Sequence, residues 1–139
     1  APVSAGAWQK VIVRYRDGQV LRGYTNNFHT DRAQLHLAVD PCTGKTVMVP
    51  LSRLKALFFV KEFAGNPRHV DRPDLEGRAG GRKVEITFHD GEVLLGSTMS
   101  YRSEGNGFFV QPADTRSNNL RVFVIHGAVQ HLRFLRFLM

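Results

Sequence analysis

The sequence predicts an all-β chain made of two tandem five-stranded small barrels that arose by internal duplication. The main observation is a repeat. Val11-Ile12-Val13-Arg14-Tyr15-Arg16-Asp17-Gly18-Gln19-Val20-Leu21-Arg22-Gly23 matches Val84-Glu85-Ile86-Thr87-Phe88-His89-Asp90-Gly91-Glu92-Val93-Leu94-Leu95-Gly96 at a constant offset of 73. A second is period-two alternation of apolar and polar residues, the mark of a sheet with one wet face. A third is a glycine inside each second strand, at Gly23 and Gly96, where a bend or a close backbone is expected.

Taken in order, residues 1–9 read as a disordered leader, 10–63 as the first copy, 64–82 as a linker and 83–139 as the second copy. The first strands alternate Val11, Val13, Tyr15 and Val84, Ile86, Phe88. Asp17-Gly18 and Asp90-Gly91 then supply a tight two-residue hairpin turn. Second strands follow at Val20–Thr25 and Val93–Thr98, third strands at 34–39 and 107–112, and fourth strands at 46–50 and 121–125. After a slip to an offset of 75, Val47, Val49, Leu54, Leu57 and Phe59 fall on Val122, Val124, Val129, Leu132 and Phe134. A short turn at 51–54 or 126–128 leads to fifth strands at 55–61 and 129–137. No long helical period is present. Two prolines and four glycines between Ala64 and Arg82 mark the linker.

With 139 residues, 42% of them hydrophobic and 22% charged, the chain can bury a core and is not a disordered tail. The longest apolar runs, such as Ala56-Leu57-Phe58-Phe59-Val60, are strand-sized and far short of the roughly 20 residues of a membrane span. Ala1 to Ala7 has neither the basic start nor the apolar stretch of a secretion signal. The single Cys42 excludes an internal disulfide and points to a reducing, cytoplasmic setting.

A bent five-stranded barrel with a short turn before its last strand resembles the Sm-like group of SH3-like small barrels. Asp17 to Gly23 and Asp90 to Gly96 are similar to the first Sm motif. Val124-Ile125-His126-Gly127-Ala128-Val129 resembles the second, and the tandem Asp-Gly-x-Val-Leu-x-Gly pattern resembles an uncharacterised bacterial domain. In the loop after strand two, where Sm proteins carry an Asp and an Asn, the first copy has Asn26, Asn27 and Asp31, and the second has Ser103, Glu104 and Asn106. The first copy reads Pro50-Leu51-Ser52-Arg53 in place of the second motif. The resemblance implies assembly by addition of strand four of one barrel to strand five of the next, and hence a compact pair or a homo-oligomer through barrel edges. It also implies that His126 and Gly127 lie where a base would be read.

Motifs for chemistry are lacking. Gly44-Lys45-Thr46 ends like a phosphate-binding loop, but Val39 stands where its first Gly belongs and a strand follows instead of a helix. His29, His36 and Cys42 match no familiar zinc spacing. There is no Gly-x-Ser-x-Gly elbow, Cys42 has no evident base, and Asp17 and Asp90 are explained by their turns. Neither an enzyme, nor a metal site, nor a cofactor is expected. Arg68-His69-Val70-Asp71-Arg72 resembles the first motif of PilZ domains, which grip cyclic di-guanylate, but their second motif is absent.

Charge selects the partners. Nineteen Lys and Arg against twelve Asp and Glu give +7, and residues 10–63 hold nine bases and four acids. An anionic partner is therefore expected at the first copy. Arg14, Arg16, Arg22 and Tyr24 on one hairpin make a basic patch beside an aromatic ring, with Lys45, Arg53 and Lys55 as a second cluster. Two functions remain open: binding of RNA or single-stranded nucleic acid, and protein interaction through barrel edges or the apolar tail Phe134 to Met139.

Overall fold

Apolar residues at every second position make most of the strands, and Leu54–Val60 is apolar almost throughout. The computed structural model describes residues 8–26, 28–40, 42–65, 81–114 and 116–135. Its strands are β1 (Gln9–Tyr15), β2 (Val20–Thr25), β3 (Gln34–Asp40), β4 (Lys45–Pro50) and β5 (Leu54–Val60), followed by β6 (Arg82–Phe88), β7 (Val93–Thr98), β8 (Gly107–Pro112), β9 (Asn119–Ile125) and β10 (Val129–Phe134). Single 3₁₀ turns, Leu51–Arg53 and His126–Ala128, precede β5 and β10. Strand β1 starts within the expected leader and β6 at Arg82 within the expected linker. The rest of those two segments and residues 136–139 of the tail lie outside the described residues.

The strands form one antiparallel sheet in the order β10-β6-β7-β8-β9-β5-β1-β2-β3-β4, and it is not closed. The expectation is two barrels paired by adding strand four of one to strand five of the other. The structure has an edge-to-edge join of that kind within the chain, but in one continuous sheet rather than two closed barrels. Strand β5, fifth of the first half, pairs with β9, fourth of the second, with Leu57 opposite Phe123 and Phe58 opposite Val122. Each supplies the backbone partners that the other's edge lacks. Within each half the order is the same: fifth, first, second, third, fourth.

The junction is buried on both faces. Side chains alternate across a strand, so Leu57 and Phe59 of β5 join a core with Val11, Val13, Leu35, Leu37 and Val49, while Ala56, Phe58 and Val60 join a core with Val84, Ile86, Phe88, Phe108 and Val110. Strand β9 does the same with Phe123 and Ile125 on one side and Val122 and Val124 on the other. Each such buried Leu, Phe or Val contributes about 1.5–3 kcal/mol by leaving water. The halves therefore share walls.

Local details recur in both halves. In β5, Arg14 faces Ala56 and Tyr15 faces Leu54, leaving Lys55 as the extra residue of a bulge; in β10, Gln130 is skipped in the same way. The amide of Arg16 donates to the Arg53 carbonyl and that of His89 to the Ala128 carbonyl, both at 3.0 Å. The hairpins differ from expectation. Tyr15 and Gln19 close the first loop, as Phe88 and Glu92 close the second, which leaves three residues in each. A two-residue turn needs positive φ at both centres. Here only Gly18 (φ 97°) and Gly91 (φ 93°) have it, while the carboxylates of Asp17 and Asp90 accept from the amides two residues on. The mid-strand glycines answer to a close backbone: a Cβ on Gly23 would stand 2.7 Å from the Ala38 carbonyl oxygen, and one on Gly96 would stand 2.1 Å from that of Gln111. Among the described residues no helix is long and apolar enough to cross a membrane.

Candidate functional site

The β1–β2 register places the hairpin cations. Ile12 faces Arg22, Arg14 faces Val20 and Lys10 faces Tyr24, so Lys10, Arg14, Arg22 and Tyr24 share one face of the sheet. This is the outer face of the first half, opposite the side that Val11 and Val13 bury. Arg14 lies over the Phe58 ring, 5.5 Å from its centre, at the rim of the second core. Tyr24 meets Phe63 edge-on with ring centres 5.4 Å apart. Among the described residues neither Arg14 nor Arg22 has a carboxylate within 4.0 Å. Lys10 does: its amine bonds Glu62 at 3.2 Å.

This face continues onto β3 and β4. Tyr24 pairs with Ala38, Ala38 with Thr46 and His36 with Met48. A cavity of about 330 Å³ opens there between Trp8, Asn26, His36, Ala38 and Thr46. Trp8 is 40% exposed and Met48 52% exposed. Rings and guanidinium groups without a carboxylate partner among the described residues thus lie along one side of the first half.

The other expected site residues go elsewhere. Arg16 stands past the end of β1, lining a cavity of about 270 Å³ with Lys55, Phe88, His89, Asp90 and Ala128. Its guanidinium lies beside Gly127, where an added Cβ would come within 3.2 Å of Nη1. Lys55 is not an open cation. It is 8% exposed, sits over the Phe88 ring and bonds Asp90 at 2.7 Å and Glu92 as well. Chain distance hides this pairing: the carboxylates belong to the other half's hairpin. Asp90 is held below the usual carboxylate range first by the hydrogen bond from Lys55 and then by the Glu92 amide. Lys45 begins β4 opposite Asp40, and Arg53 is exposed in its 3₁₀ turn, so no joint cluster with Lys55 forms. The Asp40 carboxyl is lowered by the Thr43 hydroxyl, then by the Cys42 amide, with Lys45 adding attraction. Gly44, with φ 74°, ends that turn, and strand β4 follows at Lys45 where a phosphate-binding loop would lead into a helix.

His126 is committed to packing. Its Nε2 is 2.7 Å from the Arg102 carbonyl, which can only accept, so that nitrogen carries the hydrogen. The ring is 5.3 Å from Phe108 and 6.2 Å from Tyr101. Arg68 and Arg72 lie outside the described residues, as does Asn27. Among the described residues no three His, Cys, Asp or Glu side chains gather as a metal site. Sequence reasoning places Trp8 in the leader and weighs His36 only as a metal ligand, although Trp8 continues the alternation of Lys10 and Ile12, and His36 that of Ala38.

No curated protein and no solved structure matches the chain. A family model described as "Family of unknown function (DUF6982)" matches residues 7–136. That span takes in every strand of both halves, and the chain belongs to this family.

Proposed function

We propose that the chain is a non-catalytic binding module of two Sm-like repeats, and that the outer face of its first half holds RNA or single-stranded nucleic acid. The shared strand order, bulge and 3₁₀ turn support descent of the halves from one duplicated barrel. One observation carries the ligand class: Arg14, Arg22 and Tyr24 share a face on which the two guanidinium groups have no described carboxylate partner. Cations that track phosphates, set beside rings on which bases stack, make a sequence-tolerant single-strand surface. The lone Cys42, exposed and unpaired, favours a reducing, cytoplasmic setting.

Binding of a fluorescent oligouridine, followed by anisotropy across a salt series, tests the proposal. Each phosphate contact contributes about 0.7 to the slope of log affinity on log salt for single strands. The double variant R14A/R22A is expected to flatten that slope by about 1.4. R16A, at the junction, is expected to leave it nearly unchanged. Unaltered affinity and slope in R14A/R22A would overturn the nucleic-acid reading. A protein-interaction reading would then gain, favoured by Met48, which stands exposed on edge strand β4.

A further inference from the structure

Arg121 is an arginine on a strand that is otherwise apolar from Val122 to Ile125. Its guanidinium lies over two neighbouring rings, 4.4 Å from the centre of Phe59 and 4.3 Å from that of Phe109. Those rings belong to a packed aromatic group with Phe28 and Phe123, at centre distances of 5.0–6.1 Å, so the guanidinium is held in place. Among the described residues its polar contact is neutral: Nη2 donates to Gln9 Oε1 at 3.3 Å. No described carboxylate lies within 4.0 Å of it. Partial burial removes some of the water around this half-buried cation and lowers its pKa. A half-buried charge beside an open cleft is a ready place for a counter-charge, and the protein's described residues supply none.

A cleft of about 320 Å³ opens at this point, where the ends of β1 and β5 meet the start of β9. Lys10, Lys61 and Arg121 line it, together with the Trp8 indole. Only Glu62, bonded to Lys10, offsets the three cations among the described ion pairs. A guanidinium presents a rigid fork of donors that matches phosphate oxygens, and the Trp8 side chain lining the same cleft offers an indole on which a heterocycle can stack.

We infer that this cleft is a binding site for a nucleoside phosphate monoester, with the phosphate on Arg121 and Lys61 and the base against Trp8. The shared chemistry is a terminal phosphate next to a base, whether on a free mononucleotide or at the end of a strand. A strand end would extend the proposed nucleic-acid reading; a free nucleotide does not depend on it.

Trp8 is the single tryptophan, so its fluorescence reports on the cleft directly. Titration with adenosine 5′-monophosphate is expected to give a saturable change, and adenosine alone is expected to give none at equal concentration. R121Q is expected to weaken nucleotide binding about tenfold or more, the usual scale of a lost charge-assisted pair. K61Q, an exposed change that spares the aromatic group, gives a second readout of about threefold to tenfold if R121Q folds poorly. Oligonucleotides with a 5′-phosphate and with a 5′-hydroxyl identify the source: preference for the phosphorylated strand places a strand end in the cleft, and binding of the mononucleotide alone places a free nucleotide there. R14A/R22A is expected to leave the nucleotide titration unchanged, which separates this site from the hairpin face. The inference is overturned if neither the mononucleotide nor the phosphorylated strand perturbs Trp8, or if both R121Q and K61Q bind like wild type.

Discussion

Strands β5 and β10 hold the same place in their halves and have opposite surfaces. Both follow a 3₁₀ turn, both carry a bulge at their second residue and both pair with the first strand of their half. Yet Leu54-Lys55-Ala56-Leu57-Phe58-Phe59-Val60 is buried at every position, whereas Val129-Gln130-His131-Leu132-Arg133-Phe134 alternates half-buried and exposed residues. Position in the sheet explains the contrast. Strand β5 is central and covered on both faces, which demands a continuous apolar run; β10 is an edge, where His131 and Arg133 discourage pairing with another strand. A common backbone has been fitted to two environments by side chains alone.

The largest expected effect tests that contrast directly. Leu57 and Leu132 are equivalent in sequence, but Leu57 is fully buried and Leu132 is not. L57A is expected to lose about 3 kcal/mol in urea denaturation and L132A about 1 kcal/mol. Equal losses would show that the junction adds nothing to the burial of β5.

An intermediate effect concerns the bulge residue, Lys55 in one half and Gln130 in the other. K55Q gives β5 the residue of β10 and removes both ion pairs to the second hairpin. Because those carboxylates are about half exposed, screening limits the expected loss to about 1–2 kcal/mol near neutral pH. Asp90 has a folded pKa below its unfolded 3.8, so its contribution is complete above that pH and fades as pH falls through the lower folded value. The gap between wild type and K55Q should therefore narrow below about pH 4, as denaturation at several pH values would reveal. A gap independent of pH would assign the loss to packing on Phe88.

The smallest effect sharpens the comparison at a second pair of equivalents. The Thr98 hydroxyl donates to the Phe109 carbonyl at 2.7 Å, while that of Thr25, also buried, has no partner among the described residues. T98V is expected to lose about 1 kcal/mol and T25V to be neutral or slightly stabilising, read from thermal midpoints. Matching losses would mean that Thr25 is bonded after all.

Most strand positions are legible in the sequence because alternation and the repeat act locally and reinforce one another. Gly23 and Gly96 announce a close backbone before any partner is known. The apolar run through Phe58 and Phe59 marks a strand, but its meaning as a strand buried on both faces depends on β9, some sixty residues away. Lys55 reads as a surface base for the same reason: its carboxylate partners are in the other half. Arg14, Arg22 and Tyr24 come together because one hairpin register places all three. Arg16 departs because it lies beyond the strand, where alternation no longer applies. Arg121 is visible as a base in an apolar strand, while the two rings beneath it come from two other strands, β5 and β8.

The shared seam between β5 and β9 also has a consequence for synthesis. Strand β5 ends at Val60 and its partner begins only at Asn119. At about 5–20 residues per second, the ribosome takes roughly 3–12 s to deliver β9 after β5 has emerged. During that interval Phe58, Ala56 and Ile12 have no second core to cover them, and the nascent first half presents an unpaired apolar edge. For this chain, folding to completion is a wait, and the waiting surface is one that chaperones recognise and that neighbouring nascent copies could capture.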